Sequence, residues 1–270
     1  MVISIVLFLS VSFLSSLAQK SAQSITEEVP YDVTVFVTSS ATADEKHDFY
    51  TAVSRLDDVN RSVIVQDVPA DVVLEKDRIP ANIQAILDST GISPEDGGYR
   101  TYFTIESIDD AALARYALEN GIDVALLKDT ANPGGILINT VTTQENGRFQ
   151  FSKLLNVKAG ETLKLTLASV GDELPPSTTL TIAALADKMP LGNTAIFEPM
   201  RATLVVSEDV FTSLLANQPQ EVFVSGVNQF IQSSNPSRLV ESIQEYQKGT
   251  SIGYVSIYDV AAAQKDSRQV

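Results

Sequence analysis

Residues Val2–Leu17 read VISIVLFLSVSFLSSL, a stretch without a charged side chain in which serine is the only polar residue. As an α-helix it would be about 24 Å long, slightly shorter than the ~30 Å hydrocarbon core of a membrane. A signal peptide normally carries positive charge before its apolar run, but the first cation here is Lys20. We therefore interpret residues 1–18 as part of a transmembrane helix, which places the chain after about residue 18 outside the cytoplasm at the cell membrane.

Two other interpretations of this stretch stay open. Ser16-Leu17-Ala18 offers small residues at a cleavage site, and cleavage there would make the chain a secreted or surface-anchored protein that begins at Gln19. A buried core helix is the third interpretation. All three leave the function to the body of the chain, to which residues 19–30 form a polar connector.

The bulk composition excludes several classes of protein. The 270 residues include 34 acidic and 19 basic side chains, a formal net charge of -15. Nucleic-acid binding needs clustered Lys and Arg, so this balance argues against it, and against broad docking on an anionic lipid surface. The chain has no Cys and therefore neither disulfides nor a thiolate metal site.

Segments with strand periodicity alternate with segments of helical periodicity, which predicts an α+β fold. Strands are predicted over residues 31–37, 62–68, 100–106, 122–127, 136–142, 163–167, 178–185, 202–206, 221–227 and 252–258. Helices are predicted to begin at Thr42, Ile79, Asp109, Ser207, Pro236 and Asp259. The clearest helix, over 109–120, has Asp109 as its cap, Leu113, Ala117 and Leu118 facing inward, and Gly121 at its end. Asn146-Gly147 predicts a turn between two extended segments.

The search for catalytic, cofactor-binding and metal-binding residues assigns none. His47 is the only histidine, so no multi-histidine metal site exists, and its charged neighbours predict a surface position. Lys248-Gly249-Thr250-Ser251 lacks the leading glycine of a phosphate loop. The pairs Gly97-Gly98 and Gly134-Gly135 predict turns. The pairs Asp57-Asp58 and Asp109-Asp110 lack the loop of a calcium site and are interpreted as solvated carboxylates, with Asp109 as a helix cap.

Three segments carry a family resemblance. Tyr31-Asp-Val-Thr-Val after an apolar start, Pro133–Asn139 with Leu155–Leu165, and the tail Tyr258–Arg268 together resemble the extracytoplasmic (MacB-like periplasmic core) domain of a MacB/FtsX-type ABC transporter permease of Gram-positive bacteria. The resemblance extends over almost the whole chain through loose structural motifs. A full permease has further membrane helices.

The resemblance implies a bipartite domain after one N-terminal transmembrane helix. A Porter-like α/β lobe would comprise residues 31–153 and 220–260, and an inserted β-rich Sabre-like lobe residues 154–219. Residues 261–270 would connect to a second membrane helix. The implied partners are the membrane and a separate cytoplasmic ATPase subunit or region, with a homodimer as a further option.

On this resemblance the domain does no covalent chemistry and needs no cofactor. It would couple ATP-driven conformational change to the export or removal of peptides, lipoproteins or antibiotics, although the residues do not identify a peptide or lipid-like ligand. Two rivals remain: a secreted or surface-anchored binding protein with a cleaved signal peptide, and an extracytoplasmic enzyme that uses carboxylates, for which no convincing pair is evident.

Replacing His47 by Ala is expected to leave the free energy of unfolding within about 0.5 kcal/mol of the parent, because an exposed helix position contributes little to stability. The measurement is urea unfolding together with any transporter-linked phenotype. A large loss of function with normal folding would show that the non-enzymatic interpretation is wrong.

Overall fold

The computed structural model describes residues 31–37, 41–89, 98–145, 148–169, 176–192, 200–218, 222 and 224–267. The predicted membrane helix, its connector and the Asn146-Gly147 turn lie outside these residues. None of the helices in the described ranges is both long and apolar enough to cross a membrane.

The described residues form a mixed helix-and-sheet structure, which confirms the predicted fold class at that level. The α-helices are α1 (Ala43–Val53), α2 (Ala81–Ser89), α3 (Asp110–Glu119), α4 (Glu208–Ala216), α5 (Pro236–Lys248) and α6 (Val260–Ser267). The strands are β1 (Val33–Val37), β2 (Val59–Glu75), β3 (Gly98–Ile108), β4 (Gly134–Ile138), β5 (Thr140–Glu145), β6 (Arg148–Lys153), β7 (Thr162–Leu167), β8 (Thr178–Ala186), β9 (Ala202–Val206), β10 (Asn228–Ser233) and β11 (Val255–Asp259).

The chain divides into two compact units. The first unit is Met1–Ser62 with Phe230–Val270, and the second unit is Val63–Gln229. The predicted lobe boundaries, after residues 153 and 219, therefore fall inside the second unit. Strand β2 begins in the first unit and ends in the second.

The first unit is a sheet in the order β11-β1-β10-β2, with helices α1, α5 and α6. Strand β1 pairs antiparallel with β11, as expected for the two terminal strands of one lobe. Its valines are fully or almost fully buried at every second position, as the period of a strand requires. The core of this unit also receives side chains from α1 and α5, namely Phe49, Val53, Leu239 and Ile243.

Two predicted helix starts in the first unit are confirmed by their caps. Glu45 N donates to Thr42 Oγ1 at 3.3 Å, and Thr42 N donates to Glu45 Oε2 at 2.8 Å, which completes a capping box. Pro236 occupies the first turn of α5, and Asn235 Oδ1 accepts from Arg238 N at 3.3 Å.

The second unit contains six strands that close into a ring. Strand β2 pairs antiparallel with β3 along Val65–Glu75 and with β7 along Ala70–Val72. The remaining neighbours follow in the order β3-β9-β4-β8-β7, with β3–β9 and β4–β8 parallel. The side chains that point into the ring are apolar and buried, and helices α2 and α4 add to the same core. The principal members are Val68, Ala70, Val72, Leu74, Phe103, Ile105, Leu137, Leu165, Leu180, Ile182, Leu204, Val206, Ile83 and Phe211.

Strands β5 and β6 form a separate antiparallel hairpin of the second unit. Thr140 lies opposite Lys153, and the register continues to Glu145 opposite Arg148. The extended segments predicted on either side of Asn146-Gly147 are therefore confirmed as paired strands.

Helix α3 confirms the predicted cap and corrects one inward-facing residue. Asp109 Oδ1 accepts from Ala112 N at 2.9 Å, and Gly121 has a φ of 68°, as a helix-ending glycine does. Leu113 and Ala117 are buried, but Leu118 is 81% exposed. Because successive residues turn by about 100°, Leu118 lies about 140° around the helix from Leu113.

Two predicted strands are wrong. Within Ile122–Leu127, residues Val124–Leu127 form a 3-10 helix, because Asp123 Oδ1 accepts from Ala125 N at 3.0 Å and starts a turn. Within Glu221–Val227, the described residues include only an isolated bridge from Val222 to Ser169, and strand β10 begins at Asn228. Glu221 and Phe223 lie outside the described residues.

Replacing Asp109 by Ala is expected to lower the free energy of unfolding by about 1–3 kcal/mol, because its carboxylate also accepts from Ile64 N at 2.9 Å on strand β2. The matched control is Asp110→Ala. Within the described ranges the Asp110 carboxylate makes only an exposed ion pair with Lys128, so that change should cost less than about 0.5 kcal/mol. Equal urea midpoints for the two variants would contradict the structural role of Asp109.

Candidate functional site

The two ends of the described chain meet at Asp32 in the first unit. Asp32 O accepts from Val260 N at 2.8 Å and from Ala261 N at 3.2 Å, where strand β11 passes into α6. Asp32 Oδ2 accepts from Ser233 N at 2.8 Å, and Asp32 N donates to Ile231 O at 2.8 Å. The chain that leads into β1 and the chain that leaves β11 therefore lie side by side.

The start of α6 is capped at the same place. Asp259 Oδ1 accepts from Ala262 N at 2.8 Å, and Asp259 lies opposite Val33 in the β1–β11 pair. We call Asp32, Ser233, Asp259 and Val260 the terminal junction. Hydrogen bonds join β1 and β11 at this point, so the two described chain ends belong to adjacent strands of one sheet.

The second unit carries a cleft of about 170 Å³ on the outside of the strand ring. We call it the outer cleft; its lining residues are Asp71, Val73, Arg100, Lys164, Thr166 and Ser177. They come mainly from β2, β3 and β7, at positions that alternate with the buried positions of each strand. Sequence reasoning missed this site because its residues become neighbours only through the strand pairing.

A buried carboxyl pair lies elsewhere in the second unit. Glu106 on β3 is opposite Asp67 on β2 in the antiparallel register. Glu106 is 2% exposed, and its Oε1 has no hydrogen-bond partner among the described residues. Burial, and secondarily the negative charge of Asp67, raise the pKa of Glu106 to about 8. At neutral pH the Glu106 carboxyl group is therefore mostly protonated.

Ser225 is hydrogen-bonded to Asp67, the other residue of the carboxyl pair. Ser225 N donates to Asp67 O at 2.8 Å, and Asp67 N donates to Ser225 Oγ at 3.1 Å. The Ser225 hydroxyl also contacts Asp67 O at 3.0 Å and hydrogen-bonds to Asp67 Oδ1. These bonds take the place of a strand pairing at Ser225, which is why the predicted strand over 221–227 does not extend through it.

Helix α3 adds a buried phenol near the carboxyl pair. The Tyr116 hydroxyl donates to Lys188 O at 2.6 Å. Burial raises the pKa of Tyr116 above its ordinary value, and the charges of Glu106 and Glu119 raise it further. Neither Asp67 nor Glu106 lines the outer cleft, so the pair is not placed to exchange a proton with a ligand bound there.

The acidic pairs considered from the sequence occupy structural or surface positions. Asp58 Oδ2 lies 3.3 Å from Arg238 Nε, and Asp110 Oδ2 lies 2.7 Å from Lys128 Nζ. Asp57 and His47 are exposed, the latter on α1. In the part of the chain that the structure describes, no three His, Cys, Asp or Glu side chains are grouped to hold a metal ion.

The glycine pairs and the Lys248–Ser251 segment also have structural roles. Lys248 ends helix α5, and Gly249 caps its C-terminus, whereas a phosphate loop needs a helix N-terminus. A Cβ at Gly98 would lie 2.7 Å from Leu74 O, and one at Gly135 would lie 2.8 Å from Leu204 Cγ. These two glycines sit within strands and permit close packing, which corrects the prediction of turns at Gly98 and Gly134-Gly135. Gly97 lies outside the described residues.

The stability of the protein is expected to fall as pH rises from about 4.5, the usual pKa of a Glu, to about 8, the pKa of Glu106. In that window the folded chain holds a proton on Glu106 that the unfolded chain releases, so the slope is about -1.4 kcal/mol per pH unit from this group. In the Glu106→Gln variant the side chain at position 106 cannot ionise, so the contribution of Glu106 to the slope should be lost. Urea unfolding between pH 5 and pH 8.5 measures it.

The control is Glu75→Gln, which removes an exposed carboxyl group on the same strand as Asp67. It should keep the parent's pH dependence. An unchanged slope in Glu106→Gln would contradict the protonated state of the buried carboxyl group.

No protein-family model matches this sequence, and no curated protein matches it. Among solved structures, the chain is similar to the crystal structure of the periplasmic region of MacB from Actinobacillus actinomycetemcomitans, with 7% sequence identity and a TM-score of 0.38. The match covers 90% of this chain and 94% of that chain. A TM-score this low does not establish a shared fold.

Proposed function

We propose that this chain is the extracytoplasmic domain of an ABC transporter permease and that it has no catalytic role. The observation that carries the proposal is the terminal junction, where Asp32 O accepts from Val260 N and Ala261 N. A domain attached to the membrane through both chain ends needs those ends at one place on its surface, and the junction meets that requirement.

The N-terminal stretch Val2–Leu17 supports the same proposal from the sequence. An uncharged apolar segment of this kind is stable in a membrane, where its backbone groups bond within the helix and its side chains avoid water. The proposed topology is an apolar anchor, the connector 19–30, and a body outside the cytoplasm.

The proposed partner is a cytoplasmic ATPase, and the proposed role is to receive and transmit its conformational change. The hydrogen bonds of the terminal junction support this role, because they couple β1, β10 and the start of α6. The alternative is a secreted or surface-anchored binding protein. The outer cleft favours that alternative, since it offers a ligand-sized concavity whatever the fate of the N-terminal stretch.

Cell fractionation of the full chain in a bacterial host tests the proposal. The chain is expected in carbonate-washed membranes, with its body cleaved by protease added outside spheroplasts. Deleting residues 2–17 should release the body from the membrane fraction. A soluble chain that begins at Gln19 would instead support the secreted binding protein.

The partner is tested separately in the native membrane. Detergent extraction and affinity capture of the full chain should recover an ATPase subunit, identified by mass spectrometry from its phosphate-loop peptide. A membrane-anchored chain that recovers no ATPase would contradict the transporter part of the proposal while leaving the anchor in place.

A further inference from the structure

We propose that the outer cleft is a binding site for a small monocarboxylate with an apolar body. The site goes beyond the transporter function and does not depend on it.

The register places two cations on either side of one valine. Val73 on β2 lies opposite Arg100 on β3. On the other side of β2, Asp71 lies opposite Thr166 and Val72 opposite Leu165, so the same antiparallel register brings Val73 beside Lys164. Neighbouring strands are about 5 Å apart, so the two long cationic side chains rise on either side of Val73 and can converge on one anion above it.

Neither cation has a partner among the described residues. In the described part of the chain, neither Arg100 nor Lys164 makes an ion pair or a side-chain hydrogen bond, although the protein has 34 acidic residues against 19 basic ones. A guanidinium group binds a carboxylate through two parallel hydrogen bonds, and an ammonium group adds a second charge-assisted bond. The cleft can therefore satisfy both oxygens of a carboxylate.

The remaining lining residues restrict the ligand. Asp71 lies in the cleft, and its negative charge opposes a ligand with a second negative charge, such as a phosphate dianion. Val73 is 56% exposed, so an apolar body has a surface to cover. The hydroxyls of Thr166 and Ser177 lie 3.1 Å apart at the other side.

The size of the cleft points to a small ligand. Its volume of about 170 Å³ is below the ~300 Å³ at which pockets for drug-sized molecules begin. Benzoate matches these requirements as a probe, because it has one carboxylate on a flat apolar ring. Benzamide has the same shape without the charge and provides the matched ligand control.

The test is a titration of the full chain, in a non-ionic detergent at low salt, followed by amide nuclear magnetic resonance. Benzoate should shift the amide signals of Val73, Arg100 and Lys164 saturably. Benzamide and inorganic phosphate should bind at least tenfold more weakly. Equal binding of benzoate and benzamide, tighter binding of phosphate, or the absence of saturable shifts with benzoate would overturn the proposal.

Variants assign the binding to the cleft. The double change R100Q/K164Q should weaken benzoate binding at least tenfold, whereas K153Q/K158Q, which removes two exposed cations of the same unit, should change it less than twofold. Asp71→Asn should strengthen benzoate binding and reduce the discrimination against phosphate. Equal effects of the two double variants would overturn the proposal, and none of these results depends on membrane attachment or on an ATPase.

Discussion

The pairing of both edges of strand β2 is the constraint on which the second unit depends. A strand has two edges, and β2 uses one for β3 and the other for β7, which closes the ring of six strands. Side chains alternate between the two faces of a strand, and in the closed ring one face of β2 lies inside and the other outside. Val72 and Leu74 are therefore buried, while Asp71 and Val73 line the outer cleft. A slip of one residue would move Asp71 into the apolar core, so the register that builds the core also builds the cleft.

Strand β2 also takes part in an energetically unfavourable contact, closer to its N-terminal end. Glu106 is buried opposite Asp67, and one of its oxygens has no partner in the described part of the chain, an arrangement that an apolar pair would avoid. Glu106 avoids burying a charge by keeping its proton, and Ser225 hydrogen-bonds to Asp67. Buried groups with this degree of perturbation are more common at functional sites than elsewhere. Here the pair holds the backbone at Ser225 against β2, so its described role is structural.

The first unit has a different organising contact. Asp32 bonds through its carbonyl to Val260 and Ala261 at the start of α6, and through its amide and carboxylate to Ile231 and Ser233 on β10. Residues distant in sequence are thereby fixed at the point where the chain enters and leaves the described body. In the proposed transporter this arrangement would attach both described chain ends to adjacent strands of one sheet.

Local chemistry determined the parts of this protein that the sequence predicted correctly. The caps at Thr42 and Asp109 and most strands could be predicted because hydrogen bonds between near neighbours, and alternation along one segment, are enough to specify them. The same reasoning was wrong for Ile122–Leu127, where a turn overrode an apolar run. The ring closure, the meeting of Asp67 with Glu106, and the outer cleft were decided by the tertiary structure alone. Each depends on which distant strands pair and in which register, and no single segment contains that information.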